Sequence, residues 1–200
     1  MTLPQVHKII GFAPSLLQVV MTGSLDMPVR QAGAIYLKNF VLQFWQEKEP
    51  PPQLQLQPQP LPFHVHEQDR AMVRDALVDA MVLAPELIRV QLASCLSCVL
   101  KHDFPGRWTG VVDKVSIFLQ SPESAGWAGA LLALYTLVKN YEYGSPGSVG
   151  KEYAEFADFF LKAYTEGILQ VVLHVLDQHR QKVYVSPRVL QHALNYLRHS

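Results

Sequence analysis

Four small groups of residues could do chemistry by type and spacing. Cys95-Leu96-Ser97-Cys98 is formally a C-x-x-C pair. Redox chemistry wants such a pair at a helix N-terminus, where the peptide dipoles lower a thiol pKa. This pair falls inside an apolar helical stretch, at i and i+3, and has no second C-x-x-C to complete a zinc site. Two small buried hydrophobes are the better reading. His64-Val65-His66 has an H-x-H spacing that suits a metal on a strand, but it precedes a helix, where the two rings diverge. His174 and His179 are five apart and do not share a helix face. The fourth group, Arg30, Gln31, Lys38 and Asn39, reads by type as a solvated helix face. No phosphate-cradling glycine loop, G-x-S-x-G or H-E-x-x-H occurs. The expectation is no catalytic site, no metal and no cofactor. A thiol enzyme using Cys95 and Cys98 is the competing reading.

Composition points the same way. The 200 residues are 49% hydrophobic and only 17% charged, with zero formal net charge. A chain without basic excess has little to neutralise phosphates, so nucleic acid is not expected as a direct ligand. Its apolar runs are too short and interrupted for membrane insertion. The start, MTLPQVHKII, lacks the order of a secretory signal. Two cysteines fit a reducing compartment, cytosol or nucleus.

The elements that must position these residues are helices. SLLQVVM after Pro14 predicts one short helix. Asp26 then reads as an N-cap, with Pro28 in the first turn of a helix running to about Gln46. Val29, Ala32, Ile35 or Tyr36, Phe40 and Phe44 recur along it at helical spacing. Residues 47–63 are proline-rich and predict an exposed loop. It reads as a stiff spacer, with a docking peptide for an SH3-like partner as the sharper alternative. Helix returns over Glu67 to Leu83, with Met72, Ala76 or Leu77, Ala80 and Leu83 as its expected apolar face. Pro85 opens the next helix, and Asp103-Phe104-Pro105-Gly106 ends it. Trp108 starts another, Ser124 is a candidate cap, and a long apolar helix follows. Trp45, Trp108 and Trp127 are expected to pack. Residues 144–150 read as a turn, with helices from Lys151 onward and a last one capped by Ser186-Pro187.

These helices fall into pairs. Aligning Lys38-Asn39, Lys101-His102 and Lys139-Asn140 gives spacings of 63 and 38, the longer one containing the proline-rich loop. The unit is close to 40 residues with two helices, the HEAT-type period. The fold class expected is all-α, an α-solenoid of antiparallel helix pairs.

Several strings carry a more specific likeness: IIGFAPSLL (9–17), PVRQAGAIYLKN (28–39), EPPP (49–52), IRVQLASCL (88–96), KHDFPGRW (101–108) followed by VVDK, and WAGALLALYTLVKNYEY (127–143). In content and order they resemble the amino-terminal HEAT repeats of importin-beta-like receptors, nearest to the importin seven and importin eight branch. Residues 144–198 also resemble that branch, in YGSPGSVGKEYAEFADFFLKAY and PRVLQHALNYL. In the family this region lies further downstream. The chain therefore reads as two parts, 1–143 and 144–200, joined where the family has additional repeats, with the family's first helix and far end absent. Helices brought together by such a join are expected to dock poorly and leave a marginal or aggregation-prone chain.

The resemblance implies a nuclear transport receptor, not an enzyme. It implies Ran GTPase in its GTP form, protein cargo and phenylalanine-glycine nucleoporins as partners, and protein import into the nucleus as the function. It implies residence in cytoplasm and nucleus and at the nuclear pore. Residues Arg30, Gln31, Lys38 and Asn39 lie in the best-matching segment and are the candidate Ran contacts. A general helical-repeat scaffold without Ran dependence is the alternative.

Overall fold

The computed structural model describes residues 3–47, 63–121 and 124–142, and isolated helical positions between 169 and 198. Among these residues there is no strand. Six helices follow one another: α1 (Phe12–Met21), α2 (Met27–Phe44), α3 (Glu67–Leu83), α4 (Glu86–Asp103), α5 (Val111–Gln120) and α6 (Trp127–Glu142). A short 3-10 segment, Leu3–Lys8, precedes α1. The proline-rich residues 48–62, the turn at 144–150 and the helices expected from Lys151 to about Tyr164 fall outside the described residues.

The helices form antiparallel couples, α1 with α2, α3 with α4, and α5 with α6. Odd helices also pack in a row, α1 on α3 on α5, and even helices in a second row, α2 on α4 on α6. Each couple therefore shields its neighbour's apolar flank, as stacked repeats must when one pair cannot bury its own core. Leu37, Leu77, Leu92, Leu96, Leu131 and Leu134 lie at the interior of this double row, all fully buried. Each contributes on the order of 1.5–3 kcal/mol by leaving water. Val172 is buried and joins the same core.

The repeat is clearer in helix starts than in the polar pairs. Helix α4 begins at Glu86, 59 residues after Met27 opens α2, and α6 begins at Trp127, 41 residues later. The intervals of 63 and 38 are thus out of register, because Lys101 sits a turn further along α4 than Lys38 does along α2.

Two expected apolar faces are met only in part: Phe40 on α2 and Leu77 and Ala80 on α3 are buried as expected. On α2 the buried stripe is Gly33, Ala34, Leu37, Phe40 and Val41, while Val29, Ile35 and Tyr36 are exposed. On α3 it is Val73, Leu77, Val78, Ala80 and Met81, while Met72 and Leu83 face solvent at 51% and 72% exposure. Both helices are apolar over more than one face, so periodicity alone does not choose which face meets the neighbours.

Helix ends mostly follow the sequence signals. Pro28 stands in the first turn of α2, although the Asp26 side chain at its N-cap makes no capping bond. Helix α2 stops at Phe44, two residues before the expected Gln46, and α5 starts at Val111 rather than Trp108. Ser124 opens a 3-10 turn, Ser124–Gly126, that leads into α6. All three tryptophans are buried.

Between the helices of a couple, one device recurs. The last carbonyls of each odd helix accept a bond from a side chain in the first turn of the next helix. Arg30 Nε donates to Val20 O at 2.9 Å. Arg89 donates to Met81 O and Ala84 O at 3.1 and 2.8 Å. In the third couple Trp127 Nε1 donates to Ser121 O at 3.0 Å. A helix C-terminus leaves its last carbonyls without intrahelical partners and favours a cation there. The two arginines thus close the turn of the first two couples, and the Trp127 indole closes the third. Burial lowers the Arg89 pKa from the ordinary arginine value.

Candidate functional site

The thiols come first. Cys95 is fully buried within α4, and Cys98 lies half-buried with its Sγ 3.8 Å from Val41 O on α2. Burial pushes the Cys95 thiol up to about 12, with the Cys98 thiol adding to the rise, and the Cys98 thiol up to about 11, with the Asp103 carboxylate adding to it. The thiolate is the nucleophile, so raising the pKa removes reactivity at neutral pH. At pH 8 the folded chain is expected to resist iodoacetamide, with labelling accelerating about tenfold per pH unit above that. Mass spectrometry after timed quenching measures it. Complete alkylation within minutes at pH 8 would restore the thiol-enzyme reading.

His64 and His66 belong to no cluster that could hold a metal among the described residues. His66 occupies the N-cap position of α3 and sets its ring edge-on to Phe63, with centroids 6.2 Å apart. No group of three or more His, Cys, Asp or Glu residues among those described could hold a metal. His174 and His179 lie outside the described residues.

The four candidate contact residues all sit on α2, but they turn to different neighbours. Arg30 is half-buried and bonded to the end of α1. Lys38 Nζ reaches α4 and donates to Gln91 Oε1 at 2.9 Å. Gln31 is half-buried and Asn39 exposed. The even row carries a second polar rung, in which Ser97 of α4 donates to Asn140 of α6 at 3.2 Å. Lys38–Gln91 and Ser97–Asn140 thus link consecutive even helices through side chains, and the Lys38 end of the row lies beside the exposed Asn39.

Behind this row lies a buried polar joint that spacing arguments missed. Asp103, at the end of α4, accepts from Trp45 Nε1 at 3.1 Å and from Arg74 NH1 at 2.7 Å. Arg74 also holds Glu67 at 2.5 Å. Burial works against the Arg74 charge, but the Glu67 and Asp103 carboxylates outweigh it and raise its pKa above the ordinary value. Arg70 stands over the Trp45 ring, 5.6 Å from its centroid, and bonds Trp45 O and Glu47. The joint therefore ties the end of α2 to α3 and to the end of α4. Separately, Asp69 of α3 accepts the Gly11 N–H at 2.8 and 3.0 Å, capping α1 from the next couple. Lys114 of α5 pairs with Asp79 of α3 at 2.7 Å. A sequence signal for the joint existed: Asp69, Arg70 and Arg74 fall in phase with Val73, Leu77 and Val78, so charges share the buried stripe of α3.

A double row of short helices, tied by polar rungs, with no reactive cluster among its described residues, defines an α-solenoid of HEAT type suited to protein contacts. Comparison with known proteins carries this to a family. Residues 1–82 match the model of the importin-beta N-terminal domain. Importin-8 from Danio rerio is 36% identical across 98% of this chain and 30% of its own length. Importin-8 from Homo sapiens is 36% identical across 98% and 29%. A solved structure, the exportin Cse1 in its cargo-free, cytoplasmic state, superposes with a TM-score of 0.75 over 95% of this chain and 19% of that one, at 20% identity, a likeness of fold. The chain belongs to the importin-beta superfamily, whose members are transport receptors rather than enzymes. It spans about 30% of the length of the curated relatives it matches. The alignment to the zebrafish relative runs 315 positions yet takes in 98% of 200 residues, so more than a third of its positions have no counterpart here.

Proposed function

We propose that this chain is a receptor module for nuclear import that meets Ran GTPase, in its GTP form, on the α2 end of the even row. The observation that supports it most is the conjunction of family membership with the placement of Lys38 and Asn39 beside the Lys38–Gln91 rung, on the helix that bears the strongest family resemblance. Lys38 and Asn39 make the contact, Gln31 borders it, and Arg30 holds the α1–α2 couple at the required angle. Protein cargo shares the same row further along, and nucleoporin phenylalanine-glycine repeats bind weakly and multivalently. The module works in cytoplasm and nucleus and at the pore. The excess of alignment positions over matched residues in the zebrafish comparison supports an internal join, which we place at Tyr143–Gly144. Reads across those codons test it.

The function is tested by pull-down of the full chain with GTP-loaded and GDP-loaded Ran. GTP-loaded Ran is expected to be retained, GDP-loaded Ran not, and Lys38→Ala with Asn39→Ala together are expected to reduce retention at least tenfold. Equal retention of both nucleotide forms, or of neither, favours the Ran-independent scaffold. Direction is read from cargo: for an importer Ran-GTP lowers cargo affinity, whereas for an exporter it raises it, by reciprocal linkage.

A further inference from the structure

The chain is neutral as a whole, but its two rows differ in charge. On the odd row, α3 and α5 carry Glu67, Asp69, Asp75, Asp79 and Asp113. On the even row, α2 has no carboxylate. Helix α4 has Glu86 as its first residue and Asp103, turned inward to Trp45 and Arg74, as its last. Helix α6 has only Glu142, its last residue. Between those ends the even row bears Lys38, Lys101 and Lys139 and no acid. The ion pairs among the described residues are made by Arg70, Arg74, Arg107, Lys114 and Arg180, and none involves these three lysines.

The three lysines share one face. Lys38 reaches Gln91 of α4. Ser97, one turn before Lys101, bonds Asn140, the neighbour of Lys139. Lys101 and Lys139 are exposed. Toward the helix starts the same face is apolar: Ile35 is 39% and Val90 51% exposed, and Leu132 is half-buried. Helix C-termini favour cations, which accounts for the lysines' position along each axis. It does not account for three successive helices that offer no carboxylate to offset them.

We propose that this face of the even row docks an acidic, amphipathic segment of a partner protein. Carboxylates of the segment meet Lys101, Lys139 and Lys38, and its apolar side chains lie on Ile35, Val90 and Leu132. Nucleic acid would use only the lysine half. The unequal rows also orient the encounter, since an acidic segment is drawn to the even row and repelled by the odd one. The inference rests on reading the even row as the partner-binding face, and it does not require Ran.

The test titrates the full chain, by fluorescence anisotropy, with a labelled amphipathic peptide of leucine and glutamate. The same peptide with glutamine for glutamate is the comparison, and it is expected to bind at least tenfold more weakly. Lys101→Glu with Lys139→Glu is expected to weaken the glutamate peptide at least tenfold, and Lys101→Arg with Lys139→Arg to retain it. Lys8→Glu with Arg180→Glu, an equal change of charge outside the even helices, is expected to cost less than twofold. Equal affinity for the two peptides, an equal loss from the Lys8 and Arg180 pair, or single-stranded DNA bound as tightly as the glutamate peptide each overturn the proposal. Retention of GTP-loaded Ran is read in parallel. Ran retained with no peptide bound sinks this inference alone, whereas peptide bound with no Ran retained supports it and sinks the Ran contact alone.

Discussion

Replacing Asp103 with alanine is expected to lower the melting temperature by about 10 °C, the largest effect of any single side chain outside the apolar core. The Asp103 side chain is fully buried and Arg74 is 9% exposed. Removing the carboxylate strands the Arg74 guanidinium beside the core and leaves the Trp45 indole N–H without its acceptor. Breaking one partner of a buried pair costs roughly 3–5 kcal/mol, because the remaining charge keeps its desolvation penalty. Glu67 still holds the other side of Arg74, and its exposure to water moderates the loss toward the lower end. At about 2–4 °C per kcal/mol for a chain of this size, the shift follows. Asp103→Asn keeps an acceptor for Trp45 and is expected to lose about half as much. Glu47→Ala serves as the contrast: Glu47 itself is 57% exposed, and Arg70 keeps the Trp45 carbonyl, the Trp45 ring and Glu67 when Glu47 is lost, so a smaller shift is expected. Differential scanning fluorimetry measures all three. If Asp103→Ala melted within the scatter of Glu47→Ala, the joint would not hold α2, α3 and α4 together.

The second large effect is expected at Gly129. Helix α6 crosses the C-terminal end of α3 so closely that a Cβ on Gly129 would lie 2.5 Å from Val82 Cα and 2.7 Å from Met81 O. Both are backbone atoms and cannot rotate away. Alanine in a helix interior normally gains about 1 kcal/mol over glycine, yet here that gain is outweighed by overpacking that costs roughly 1–3 kcal/mol or more. The helices must separate, and the Trp127–Ser121 bond near the contact is strained with them. Gly129→Ala is therefore expected to destabilise by about 2 kcal/mol, opposite in sign to the helix-propensity expectation. Gly23→Ala, with no atom within 4 Å of the added Cβ, is expected to be near neutral. Urea titration of the two variants separates the cases. A Gly129→Ala variant as stable as the parent would mean that α6 does not pack on α3 at this distance.

The helical couples were legible because proline, glycine and the apolar period act within a few residues. Pro85 and Pro28 marked helix starts, and Asp103-Phe104-Pro105-Gly106 marked a stop, all at the positions observed. The limits of α3 were read to the residue. Family membership was legible in strings such as KHDFPGRW, and the joint explains part of that string: Asp103 takes the Trp45 and Arg74 donors, Arg107 lies 3.7 Å from Glu47, and Trp108 packs into the core. The faces of α2 and α3 were legible only in part. Met72 and Leu83 fit the helical period as well as Val73 and Met81 do, and only the neighbours' positions separate them.

By itself the chain order determined that short helices would pair and stack, since local stereochemistry and apolar spacing act along the backbone. The tertiary structure alone decided which flank each helix buries, that Asp103 meets Trp45 across 58 residues, and that glycine is required where α6 crosses α3. These are contacts between segments distant in sequence. Their energies depend on distances that no local pattern encodes.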